Sequence, residues 1–145
     1  MASVKGVAIT NLDAVPAVNS DGGNLSPMMV WHDTYEASSL GSGSDITIAR
    51  IPAGSTIHDV VIKADALGGS STLKVGDSGD DDRYLAAVGT WNAAGQCQSM
   101  LAGSTAANTA VAGLGYKVSE ATDLKITTGG ATISGTIYFW VYYTQ

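Results

Sequence analysis

The sequence predicts an all-β protein: an antiparallel β-sandwich, jelly-roll-like, of about eight short strands. Three observations predict it. Apolar and polar residues alternate with a period of two in short runs along most of the chain. The runs are separated by clusters of Gly, Ser, Asn and Asp, and 18 of the 145 residues are glycine, well above the usual share of roughly 7%. Helix has little support, because the one alanine-rich stretch, Ser99 to Gly113, is interrupted by glycines and threonines. A chain of this length buries roughly 68–70% of its unfolded surface, enough for one core without disulfides or metal. Residues 1–145 are therefore expected to form a single domain, with 1–18 as an N-terminal arm. No repeat of fixed period suggests a solenoid or propeller.

The elements follow in order. Strands are expected near residues 4–9, 28–35 and 45–51, with weaker candidates near 83–88 and 96–101. Between them, the run from His58 to Ala66 places Val60, Ile62, Ala64 and Ala66 on one face and Asp59, Lys63 and Asp65 on the other. Gly68-Gly69 then permits a reversal into Thr72 to Gly76, where Leu73 and Val75 oppose Lys74. The two runs read as a hairpin with a polar outer side. A second hairpin is expected where Asp123 to Thr127 turns at Gly129-Gly130 into the long run Thr132 to Thr144. The stretch from Ser99 to Gly113 reads as an ordered loop with an apolar underside.

The last run is unusual because both faces are apolar or aromatic. Ile137, Phe139, Val141 and Tyr143 share one face, whereas Tyr138, Trp140 and Tyr142 share the other. A sandwich strand needs only one apolar face, so Tyr138, Trp140 and Tyr142 are the candidate interface for another copy of the chain or for a different partner. The alternative is a loop of the same chain, such as the alanine-rich one, folded over them.

Charge excludes several partners. The formal net charge is −6, and the seven Lys and Arg are scattered singly, without the basic stripe that phosphate neutralisation requires. Nucleic acid and anionic membrane surfaces are therefore not expected partners. No apolar run approaches the ~20 residues that span a bilayer. The first residues carry one cation and too short an apolar stretch for a signal peptide, and a lone Cys97 fits a reducing compartment. Synthesis and assembly in a cytoplasm are expected.

Candidate chemistry is sparse. Gly76-Asp-Ser-Gly-Asp-Asp-Asp-Arg83 gathers carboxylates on a turn, and Asp77, Asp80 and Asp82 could offer oxygen ligands to Ca²⁺. No Glu closes an EF-hand cage, and a solvated turn explains the cluster better, so neither metal nor cofactor is expected. His32, His58 and Cys97 could supply a nucleophile and a base, yet none stands in a nucleophile motif. An enzyme is not expected. Trp31 with Asp33, or Trp91 with Asn92, has the composition of a lectin-like sugar platform, which keeps a receptor-binding β-sandwich module open as the alternative.

The segment from Ile51 to Leu85 adds a resemblance. That segment covers about a quarter of the chain and holds a Pro52-Ala-Gly-Ser55 lead-in, an Asp65-Ala-Leu-Gly68 turn and a Gly76-Asp-Ser-Gly-Asp-Asp-Asp-Arg-Tyr84 stretch. They resemble capsid cement or decoration proteins of tailed bacteriophages, of the jelly-roll kind found in short-tailed Bordetella phages. The resemblance implies a structural virion protein on the outer capsid surface, assembled in the bacterial host cytoplasm, that ties neighbouring major capsid subunits together against internal DNA pressure. Its implied partners are the phage major capsid protein and further copies of itself, as a dimer or trimer. It carries no catalytic residues. The segment through Val18 and the loop Ser99 to Gly113 would be arms reaching those partners.

Overall fold

The alternating runs form eight strands: β1 (Met28–Leu40), β2 (Asp45–Ile51), β3 (Thr56–Ala64), β4 (Ser71–Gly76), β5 (Leu85–Val88), β6 (Gln96–Ser99), β7 (Thr122–Gly130) and β8 (Ile133–Thr144). The computed structural model describes residues 27–89, 91–102 and 112–145. The strand expected near 4–9, the arm 1–18 and most of the alanine-rich loop lie outside these residues.

The strands make two four-stranded sheets, ordered β1-β8-β3-β6 (sheet A) and β2-β7-β4-β5 (sheet B), and every pairing is antiparallel. Four of the pairings, β1 with β8, β2 with β7, β3 with β6 and β4 with β5, are those of one long hairpin folded at its middle. Rolling that ribbon up sets β8 beside β3 and β7 beside β4. This is the jelly-roll arrangement, and no helix occurs among the described residues.

Neither predicted hairpin exists. β3 lies in sheet A and β4 in sheet B, and likewise β7 lies in sheet B and β8 in sheet A. Each glycine-rich turn therefore carries the chain from one sheet to the other. Alternation reports which side chains face the core, but not which strand receives the hydrogen bonds. The two crossings pack together where Ser71 stands opposite Gly130, and within the first of them Ser71 Oγ donates to Gly68 O at 2.8 Å. Gly130 has φ +71°, and a Cβ there would stand 1.9 Å from the Ser70 carbonyl oxygen.

Between the sheets lies one hydrophobic cluster to which every strand except β6 contributes, with Ile57, Val60 and Ile62 of β3, Leu73 and Val75 of β4, Leu124 and Ile126 of β7 and Ile137, Phe139 and Val141 of β8 buried in it. The predicted inward faces of β3, β4 and β8 are thus observed. Ala66 is the exception: it is exposed, and Leu67 is buried in its place. The strand has ended at Ala64, so period two no longer applies, and Leu67 N–H bonds to Trp91 O at 2.8 Å.

Candidate interaction surface

β8 runs through the middle of sheet A, flanked by β1 and β3. Its outward residues Tyr138, Trp140 and Tyr142 stand opposite Thr34, His32 and Val30 on β1 and opposite Lys63, Val61 and Asp59 on β3. The three predicted aromatics therefore share one outer face. His32 stacks on Trp140 with ring centroids 4.9 Å apart and planes 18° apart, an offset geometry that aromatic quadrupoles favour. The apolar strip extends onto the β1 edge, where Met28 is 60% and Val30 52% exposed, and Tyr138 is 36% exposed. Trp140, Tyr142 and Val61 are half-buried by their neighbours.

The strip has a polar border. Toward the start of β8, Thr136 Oγ1 donates to Glu36 at 2.5 Å and its N–H donates to Asp65 at 3.2 Å. On the β3 side, Asp59 accepts hydrogen bonds from Ser99 Oγ at 3.1 Å and from Leu101 N–H at 3.2 Å, which fixes the chain leaving β6 against this face. The outer face of sheet B is different. There Asp45 accepts from Thr127 Oγ1 at 2.7 Å and lies 3.8 Å from Lys125, while Arg50 pairs with Asp123 through two hydrogen bonds of 2.7 and 3.2 Å. A charged and threonine-rich face suits water, whereas an aromatic face rimmed by polar groups has the pattern of a partner surface.

The acidic turn is organised from within. Asp77 turns inward, its side chain 6% exposed. Its Oδ1 accepts the N–H groups of Gly79 at 2.9 Å and Asp80 at 3.1 Å, and its Oδ2 accepts Arg83 Nε and Tyr84 OH, both at 2.9 Å. Burial pushes the Asp77 carboxyl up, but these hydrogen bonds and the Arg83 charge outweigh it and hold the group below its usual value. Arg83 in turn sits 4.2 Å above the Tyr116 ring. Burial, reinforced by Asp77, raises the Tyr84 hydroxyl well above its ordinary value. Of the predicted ligand trio, the fold brings Asp80 and Asp82 together with Asp81, their carboxylate oxygens within 4.8 Å. Asp77 is not in that group, because its oxygens already serve the turn. Lys74 donates to Asp81, and a hydrogen bond with Asp80, with burial and the neighbouring charges, raises the Asp82 carboxyl.

The remaining candidates disperse. His32 and Cys97 lie on opposite edge strands of sheet A with β8 and β3 between them, and His58 Nε2 is engaged with Thr144 Oγ1 at 2.9 Å. Trp91 is fully buried and donates through Nε1 to Val88 O at 2.8 Å, so it is a core residue and presents no sugar platform. Trp31 remains 38% exposed at the β1 edge. Sequence reading missed Met28, Val30, Val61 and His32 as parts of the aromatic face, because only the β1-β8-β3 register sets them beside Tyr138, Trp140 and Tyr142.

No protein-family model and no curated protein matches the sequence. Solved structures do match the fold. A chain of the cyanophage Pam1 capsid asymmetric unit superposes with a TM-score of 0.63 at 21% identity, covering 82% of this chain and 85% of that one. A chain of the Ralstonia phage GP4 capsid gives 0.57 at 16% identity, covering 83% and 84%. A chain of the acid-stable capsid of Helicobacter pylori bacteriophage KHP30 gives 0.59 at 9% identity, covering 83% and 89%. The jelly roll described above is therefore shared, nearly end to end, with chains of three phage capsids.

Proposed function

We propose that this chain is a structural virion protein that binds the outer surface of an assembled phage capsid and holds neighbouring major capsid subunits together. The observation that carries the reading is the likeness of fold, over more than four fifths of both chains, to components of three phage capsids. The surface that makes the contact is the outer face of sheet A, centred on Tyr138, Trp140 and Tyr142 and extended by Met28 and Val30. The net charge of −6 disfavours a position against packaged DNA and favours the outside of the shell.

The mechanism is one of area and multiplicity. Covering an aromatic or aliphatic side chain that is already partly shielded adds about 1 kcal/mol, so a single contact over this strip is weak. A rigid sandwich that touches two capsid subunits at once, or an oligomer that touches several, converts the second contact into an intramolecular one and gains about 10²–10⁴ in avidity. Opening the shell then requires all contacts to break together. No bond is made or broken, and the reading requires no acid, base or cofactor.

Purified protein added to bare capsids is expected to raise their disruption temperature, and Trp140→Ser is expected to abolish the increase while leaving the circular dichroism spectrum unchanged. Light scattering of the isolated protein separates the two uses of the face: a drop in mass on Trp140→Ser assigns it to self-association, an unchanged mass to the capsid. Labelling that places the protein in the capsid lumen or the tail would overturn the proposal.

A further inference from the structure

A second surface lies on the side of the sandwich where the edge strands β1 and β2 meet. Trp31 and Asp33 belong to the inward register of β1, opposite Val141 and Phe139. Both are nevertheless exposed. β2 carries an irregularity in its pairing between Thr47 and Ala49, a feature that re-aims side chains. The result is a shallow cavity of about 300 Å³ lined by Trp31, Asp33, Thr47, Ala49, Arg50 and Asp123.

The chemistry of this notch narrows its ligand. Trp31 supplies an exposed indole, Asp33 spends Oδ1 on the Thr34 N–H at 2.8 Å, and Arg50 and Asp123 form a two-point ion pair. An anion would meet two carboxylates, and a cation would meet a guanidinium. A neutral ligand with one apolar face and several hydroxyls fits both halves: its C–H face lies on the electron-rich indole surface, and its hydroxyls donate to the carboxylates and accept from the free guanidinium N–H groups. We propose that this notch is a binding site for a neutral hexopyranose, as found in polysaccharides, with Trp31 as the stacking platform and Asp33, Arg50 and Asp123 as the groups that read hydroxyls. The site is separate from the aromatic face of sheet A, which points the opposite way, so a particle coated with this protein could hold capsid and polysaccharide at once.

The test titrates maltotetraose, cellotetraose and mannotetraose, each to about 10 mM, a range that covers affinities typical of one weak site. Binding is followed by saturation-transfer NMR and calorimetry on the full chain. At least one of the three is expected to bind, with transfer from indole protons. Trp31→Ala and Asp33→Asn are each expected to weaken binding at least about tenfold, Trp31→Phe to retain most of it, and Trp140→Ser to leave it unchanged. If Trp31→Ala does not fold, Trp31→Phe and Asp33→Asn still decide the question. Absence of binding by all three sugars, which differ in linkage and in axial hydroxyls but share a pyranose face, overturns the proposal. Binding that survives Trp31→Ala, or is lost with Trp140→Ser, overturns it as well.

Discussion

Asp77 shows how much one side chain organises. It lies at the end of β4, accepts two backbone N–H groups that shape the turn, and joins the turn to the core through Tyr84 and to the surface through Arg83. Removing it leaves Arg83 without its partner and a buried hydroxyl without an acceptor, so Asp77→Ala is expected to cost about 2–3 kcal/mol in urea denaturation. The pH dependence follows from the same contacts. Because the folded carboxyl titrates below its unfolded value of about 3.9, its stabilisation is complete above that pH and is lost as pH falls through it toward the folded value. Asp77→Asn is expected to flatten the fall in stability below about pH 4. A variant as steeply acid-sensitive as the parent would show that Asp77 does not carry the effect.

The carboxylates beside it play another part. Asp80, Asp81 and Asp82 repel one another across a short turn, and Lys74 offsets part of that charge. The turn is held by Asp77 and Arg83, so EDTA is expected to leave the melting temperature unchanged. A fall in Tm with EDTA that Ca²⁺ restores would show that the turn needs an ion.

At the scale of the element, the crossings between sheets are more demanding than the strands they join. A strand position tolerates any side chain that suits its face, whereas Gly130 combines a left-handed backbone with direct approach to the Ser70 carbonyl. Gly130→Ala must both strain φ and push the two crossings apart. A drop of at least about 5 °C in Tm is expected by calorimetry, and an unchanged Tm would mean that the two crossings are not packed as described. The same element scale explains why the turn glycines misled the sequence reading. Glycine pairs between alternating runs signal a reversal of direction, and a reversal within one sheet and a passage between two sheets need the same backbone freedom.

For the whole molecule, the two outer faces decide the orientation of any assembly. Sheet B presents Lys, Asp and Thr, and sheet A presents Met28, Val30, His32, Tyr138, Trp140 and Tyr142 around its central strand. Among the described residues, sheet A therefore offers the more apolar outer face to a partner, and the notch at Trp31 lies outside that face. Seven of the eight strands share one core, and β6 is paired to β3, so the described fold is expected to unfold in a single cooperative transition. Two separable transitions would contradict a shared core.

Much of this was legible in the residues. Period-two alternation is a local property, and it correctly marked the strands at 45–51, the inward faces of β3 and β8 and the doubled apolar character of the final strand. The buried Trp91, the inward Asp77 and the exposed Trp31 were not legible, since aromatic and acidic residues look alike in a sequence whether they face a core, a turn or water. Strand pairing was not legible either. The pairing of β1 with β8 joins residues about a hundred positions apart, and no local pattern encodes that choice. Which face of a strand each side chain takes was thus settled by the chain itself, through the two-residue repeat of an extended backbone. Which strands became neighbours, and therefore which exposed residues met to form a surface, was decided only when the ribbon rolled up and buried both sheets against each other.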